Sequence, residues 1–280
     1  MKIAVIGDLH YPSSLGLDEN TVVNRDLFFS AFMNHFLSQE AAFHVSVGDL
    51  TNFGTKDELD EIYSYIQQYQ RSFIHTLGNH DLYSQTREEV LKQVGMNGNH
   101  SIETDEAYLV FLETAREMDF DRWDGWISEE QQSWLAEEIE KSGDKLMIVF
   151  AHHPVYDTTL RSNMPMLSIE PGIDIWSILR KKKGKGIYVN GHNHMDSIVS
   201  KENWTFMQIA SVLDDQSVRM LDVKDDYCQI TSVYVGTEQS RQQASIIGNG
   251  IDHFQPFPEG VGTTLERNAF FPLKVVQTVE

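Results

Sequence analysis

The chain reads as an α/β fold, and three observations lead there. Five short runs rich in β-branched or apolar residues each stop in polar ones: KIAVIGD, AAFHVSVGD, RSFIHTLGN, KLMIVFAHH and GIYVNGHNH. Segments of helical periodicity lie between them, at Leu27, Phe28, Ala31, Phe32 and Phe36, at Leu59, Ile62, Tyr63 and Ile66, at Trp134, Leu135 and Ile139, and at Ile175, Ile178 and Leu179. Strands that alternate with helices form βαβ units, so a largely parallel sheet with helices on its faces is expected. From about residue 187 the texture changes to closely spaced strand candidates, GIYVN, MDSIVS, WTFMQIA, SVRMLDV and YCQITSVYV, which read as a meander or second sheet.

These elements divide the chain into a main domain over residues 1–236 and a C-terminal extension over 237–280. The extension has scattered Gly and Pro in IIGNGIDHFQPFPEGVG and no sustained period. Extended cover, a lid or the contact of a homo-oligomer is expected there.

Charge narrows the partners. A formal net charge of -20 repels phosphate backbones and anionic membranes, which disfavours nucleic acid as a general partner and favours a small substrate. The one dense basic run, RKKKGKG at 180–186, reads as the cationic C-terminus of a helix closed by Gly184. The opening MKIAVIGDLH has an apolar run that stops at Asp8, too short for a signal core or a membrane span, so a cytoplasmic protein is expected. The single cysteine, Cys228, agrees with a reducing compartment and reads as a small buried strand residue.

The polar strand endings carry the chemistry. In parallel α/β sheets the loops leaving the C-terminal strand ends converge on one crevice. Asp8 and His10 follow the first strand, Asp49 the second, Asn79, His80 and Asp81 the third, His152 and His153 a later one, and His192 and His194 the last. Singly, each has an ordinary use as a turn cap, a surface residue or a left-handed asparagine. Together they would repel one another unless cations sat among them. Residues one apart, as in Asp8/His10 and His192/His194, point the same way if the segment is extended. Nitrogen and oxygen donors without thiolate suit Mn, Fe, Zn, Co or Ni, and two metal ions are expected.

The blocks GDLH, GDLTNFG, GNHD, HHP and GHNH, spread from residue 7 to residue 194, resemble the calcineurin-like metallophosphoesterase superfamily, whose ordered pattern is D-x-H, G-D, G-N-H-[DE], H and G-H-x-H. The resemblance implies two stacked mixed β-sheets flanked by helices, a four-layer sandwich. It implies hydrolysis of a small phosphate ester, foremost a phosphodiester, by a hydroxide held between two metals, with Mn, Fe or Zn as candidates. Asp8, His10 and His194 would hold one metal, Asn79, His152 and His192 the other, and Asp49 would bridge them. Pro154 marks His152 as the ligand of the adjacent pair, leaving His153 behind it. His80 would protonate the leaving alkoxide, and Asp81 would orient His80.

Departures from the pattern narrow the subgroup. GDLTNFG lacks the Asp-Arg of the superfamily's Ser/Thr protein phosphatases, and Asn52 stands where purple acid phosphatases place a tyrosine ligand. The helix WISEEQQSWLAEEIEKS ahead of KLMIVFAHHP is most similar to bacterial cyclic-nucleotide and glycerophosphodiester phosphodiesterases. A nuclease for single strands, a phosphomonoesterase and a non-catalytic scaffold are the alternatives. His35, His44, His75 and His100 read as packed or exposed residues. His253 could be delivered by a lid, Tyr11 and Pro12 could touch substrate from the first loop, and Trp123 and Trp126 could wall a pocket or pack beneath a loop.

Overall fold

The computed structural model describes residues 1–273. It contains two six-stranded mixed sheets. The first is built on β1 (Lys2–Ile6), β2 (Phe43–Ser46) and β3 (Phe73–His75), which run parallel with Ile3 opposite Phe43 and His44 opposite Phe73. On the other side of β1 lie β10 (Ser217–Val223), β11 (Tyr227–Tyr234) and β12 (Ala269–Pro272), all antiparallel to their neighbours. The second sheet runs in the order β4 (His100–Glu103), β5 (Ala107–Leu112), β6 (Leu146–Ala151), β7 (Gly186–Asn190), β9 (Trp204–Gln208) and β8 (Ser197–Lys201), with β5, β6, β7 and β9 parallel.

The alternation of side chains along the strands explains the layering. Ile3, Val5, Val45 and Val47 of the first sheet meet Leu109, Phe111, Ile148, Phe150, Ile187 and Val189 of the second in one core. The opposite faces are covered by helices. Ala4 and Ile6 pack in one cluster with α1 (Glu19–Ser38), α2 (Lys56–Gln67), Val90 of α3 (Arg87–Val94) and α6 (Glu238–Gly250), while Val110, Val149 and Tyr188 pack under α4 (Glu129–Lys141) and α5 (Ile175–Leu179). Helix starts follow their signals. Asp18 accepts from the backbone of Asn20 and Thr21, and Thr55 and Ser128 close capping boxes with Glu58 and Gln131.

Three expectations change. The strands from residue 187 onward do not form one meander, because β7, β8 and β9 complete the second sheet while β10 crosses back to pair with β1 and β11 pairs with β10. AYLVFL at 107–112 is a fully buried strand whose continuous apolar run matches parallel strands covered on both faces. Part of the C-terminal extension is regular: α6 packs on α1, and the short α7 (Thr264–Arg267) leads into β12 on the sheet edge. The extension's last residues, 274–280, lie outside the described residues. In the basic run, Lys182 is buried with its ammonium donating to the Gly143 carbonyl at 2.6 Å, a structural use rather than a binding patch. No helix among the described residues is long and apolar enough to cross a membrane.

Candidate metal centre

The polar strand ends meet at one rim although they come from two sheets. β1, β2 and β3 deliver Asp8, His10, Asp49 and Asn79, and β6 and β7 deliver His152, His192 and His194. The chain does not arrive there extended, as the spacing of Asp8/His10 and His192/His194 suggested. Asp8, His10, Asp49, His192 and His194 have φ of 48°, 50°, 48°, 72° and 49°. Left-handed backbone costs a non-glycine residue about 1–2 kcal/mol, and such strain concentrates at functional sites. A ladder holds these turns in place: Asp8 N donates to Gly48 O at 3.1 Å, His10 N to Asp49 O at 2.9 Å and Tyr11 N to Leu50 O at 3.0 Å. At Gly78 any Cβ would run into the Asp49 carboxylate, so only glycine lets the third loop close against the second.

Donor atoms gather in two groups. His10 Nε2 lies 3.0 Å from His194 Nε2, which is 3.7 Å from the Asp8 carboxylate. His152 Nε2 lies 3.1 Å from Asn79 Oδ1 and 3.2 Å from His192 Nδ1. Asp49 stands between them, its Oδ2 being 3.2 Å from His152 Nε2 and 3.9 Å from His10 Nε2. Donors bound to one cation at about 2.0–2.2 Å are separated by about 2.8–3.6 Å at octahedral or tetrahedral angles, so most of these separations fit ligands sharing an ion.

Their partners aim the donors. Val47 O lies 2.9 Å from His152 Nδ1, which leaves Nε2 bare, and Met166 O lies 2.9 Å from His192 Nε2, which leaves Nδ1 bare. The Asn79 amide donates to Tyr83 Oη at 2.8 Å, turning its oxygen toward His152. Burial pushes His10 well below the ordinary imidazole range, with His80 adding to the effect, and brings His192 and His194 to about 3. Neutral imidazole is the form that binds a metal. Burial works to raise the Asp49 carboxyl, but His152 and His80 beside it hold it well below its usual range. Burial raises Asp8 well above that range. A cation beside Asp8 is what would ionise it.

Asp81 and Tyr11 behave differently from expectation, and His153 keeps its place behind His152. Asp81 does not orient His80. The short turn His80–Leu82 sends the two side chains apart, and His80 Nδ1 rests 2.8 Å from the Asn52 carbonyl. Asp81 turns inward, accepting from Thr51 N and Oγ1 at 2.8 Å and from Gly78 N at 2.9 Å, with His75 Nε2 2.9 Å away. It braces the loops that carry Asp49 and Asn79. His153 has both ring nitrogens occupied, by Thr114 Oγ1 at 2.8 Å and Trp123 O at 3.0 Å. Tyr11 is buried beneath the Arg25 guanidinium and donates to Glu61, so it packs rather than touching substrate.

A cavity of about 460 Å³ opens over the centre, lined by Asp49, Asn79, His80, His192 and His194 and also by Trp123, Arg161 and His253. Of the residues carried as wall candidates, Trp123 and His253 reach it, whereas Trp126 does not line it. Tyr83 and Met166 escaped notice at the level of sequence, as did the part played by the Asn52 carbonyl. Two of them act through a backbone carbonyl that every residue possesses, and Tyr83 follows the motif without belonging to it.

A family model described as calcineurin-like phosphoesterase matches residues 1–196. The chain belongs to the calcineurin-like phosphoesterase family. Family members typically bind two metal ions, and the two donor groups here suit that number. The chain is 25% identical over 163 residues to a probable cyclic nucleotide phosphodiesterase of Rhodopseudomonas palustris, a match spanning 55% of this chain and 57% of that protein's length. Its fold is similar to that of a dimetal phosphatase from Danio rerio, with a TM-score of 0.69 at 14% identity over 83% of this chain and 95% of that one. A purple acid phosphatase from yellow lupin, Lupinus luteus, has a TM-score of 0.61 at 11% identity over 84% of this chain and 51% of that one.

Proposed function

We propose that this phosphoesterase hydrolyses a small phosphodiester at a dinuclear centre held by Asp8, His10, Asp49, Asn79, His152, His192 and His194. One observation carries the reading: members of both donor groups and His80 line a single cavity, with Asp49 between the groups. When bound by these residues, two divalent ions, Mn, Fe or Zn, would supply Lewis-acid charge for the phosphoryl oxygens and would lower the pKa of a water between them. Asp49 turns one anionic oxygen, Oδ2, to both groups, and Asn79 contributes a neutral oxygen that leaves net positive charge for an anionic ester. His80, anchored through Nδ1 on the Asn52 carbonyl, presents Nε2 to the cavity and passes a proton to the leaving alkoxide. The probable cyclic nucleotide phosphodiesterase among the relatives supports a diester over a monoester.

The Mn-loaded protein should hydrolyse bis(4-nitrophenyl) phosphate, and Asp49→Ala should lower turnover by orders of magnitude. His80→Ala should lose about 10²–10⁴-fold on an alkyl diester, the range of general acid–base catalysis, and much less on the aryl diester, whose leaving group needs no proton. Undiminished turnover in Asp49→Ala, or an equal loss on both esters in His80→Ala, would refute the respective roles.

A further inference from the structure

The cavity has two walls that the metal centre does not use. One is aromatic and adjoins His80: the Tyr83 ring lies 4.7 Å from the His80 ring and stacks on Phe120 at 4.4 Å. The other consists of Arg161 with its guanidinium 4.8 Å from the centre of the Phe257 ring. Among the described residues Arg161 is the only lysine or arginine lining the cavity, in a chain of net charge -20. No hydrogen bond or ion pair to protein joins its guanidinium among the described residues, although it is only partly exposed.

The surrounding backbone is built to hold it there. Arg161 adopts φ 65°, strained for a residue with a side chain, in a turn where Ser162 Oγ accepts from Thr158 N at 3.0 Å and Thr159 N at 3.1 Å. The same turn leans on the ligand loop: the Leu160 carbonyl accepts from the Gln208 amide at 3.2 Å and from Asn193 at 3.4 Å. The face of the Phe257 ring supports the guanidinium through a cation–π contact. A planar fork with unused donors matches a phosphate or carboxylate in two-point contact, which a point charge would not. The metal centre provides cationic charge for one phosphoryl group, and a cavity of about 460 Å³ has the size of a small-molecule pocket, so it admits more than that group.

We propose that Arg161 is a specificity-determining residue that pairs with a second anionic group of the substrate, a phosphate or carboxylate distinct from the phosphoryl group held at the metal centre. The proposal rests on the phosphodiesterase reading. It is tested with three esters sharing one scissile bond: thymidine 5′-(4-nitrophenyl phosphate) with a free 3′-hydroxyl, with a 3′-phosphate and with a 3′-O-succinate. In the Mn-loaded protein kcat/KM should favour the two esters carrying a second anion, and the better of them names the anion. Arg161→Gln should remove that preference, costing about 30–100-fold on those esters through KM and less than 3-fold on the first. Equal losses on all three would overturn the proposal.

A binding measurement separates the two readings. Calorimetry compares thymidine 3′,5′-bisphosphate with thymidine 5′-monophosphate on wild type, Arg161→Gln and Arg161→Lys. If no ester is hydrolysed the phosphodiesterase reading fails, while a bisphosphate preference lost in Arg161→Gln still supports Arg161. Should Arg161→Gln not fold, Arg161→Lys keeps the charge without the fork and is expected to lose most of the preference. Absence of a preference in wild type, or its full retention in either variant, overturns the assignment.

Discussion

Asp81 offers the sharpest test of the loop architecture, because its neighbours in sequence and in space imply different roles. It is fully buried and accepts from Thr51 N and Oγ1 at 2.8 Å, Gly78 N at 2.9 Å and Leu50 N at 3.3 Å, with His75 Nε2 at 2.9 Å. Asp81→Asn keeps the volume but converts one acceptor oxygen into a donor that must face either Thr51 or the Gly78/His75 side. A buried donor left without an acceptor costs about 1–3 kcal/mol, and at least two are affected, so a loss of about 3–5 kcal/mol is expected. Urea unfolding in EDTA, which removes metal linkage, measures it in two double-mutant cycles. Asp81→Asn with His75→Ala should couple by about 1.5–3 kcal/mol, the worth of a hydrogen bond to a charged group, and Asp81→Asn with His80→Ala by less than about 0.5 kcal/mol. Burial opposes ionisation of Asp81, but His75 and the hydrogen bonds bring its carboxyl below the ordinary value of 3.8. Its contribution is therefore present above that value and fades as pH falls below it, so the cost of Asp81→Asn should shrink in acid. Strong coupling to His80, or none to His75, would refute the bracing role and restore Asp81 as the orienter of His80.

Glu113 should give a pH signature of opposite sign. Burial pushes its carboxyl from 4.5 up to about 7, so its contribution is complete below pH 4.5 and is lost as pH rises through about 7. Glu113→Gln stays neutral, and its stability relative to wild type should climb between those pH values by up to roughly 3 kcal/mol, at 1.36 kcal/mol per unit of pKa; a flat difference across urea titrations would show that Glu113 is not the source. Gly260 packs where any Cβ would meet the His194 carbonyl oxygen, while Gly172 has open space. Gly260→Ala should weaken Mn binding by tenfold or more in equilibrium dialysis by displacing the loop of His192 and His194, with Gly172→Ala unchanged, and equal affinities in the two variants would refute the contact.

The order of the rim was legible because each motif combines a strand signal with a polar ending, and both are local. Asp8, Asp49, Asn79 and His152 could be placed at strand ends from the short apolar runs that precede them. The pairing of strands was less legible, since β10 resembles its sequence neighbours β8 and β9 yet hydrogen-bonds to β1 in the other sheet. That choice depends on which edge is open, a property of the assembled fold. Asp81 misled for a related reason: adjacency to His80 suggested contact, but a short helical turn points consecutive side chains in different directions. The extension misled because α6 has few strong apolar residues, and its buried face is Ala244, Ile247 and Gly248 with Gln243.

The left-handed backbone at five candidate donors connects these observations. Five donor residues with φ between 48° and 72° represent a destabilisation of about 5–10 kcal/mol if each carries the usual cost, comparable to the whole stability of a domain. Aspartate and histidine tolerate that region better than most side chains, which lowers the sum. The rest must be offset by the scaffold, and the offsets are visible. Asp81 and Thr51 hold the second and third loops, and Ser211 Oγ donates to the Asp8 carbonyl at 2.9 Å. Buried Asp196, two residues past His194, is paired with Arg219 and accepts from Gly262 N at 3.2 Å, while Asp196 N donates to the Gly260 carbonyl at 2.8 Å. The C-terminal segment thus belongs to the mechanism that keeps His192 and His194 in place, as well as supplying His253 and Phe257 to the cavity. Its part in the site could not be read from GHNH, because the strain that requires it is a property of backbone angles that no residue letter records.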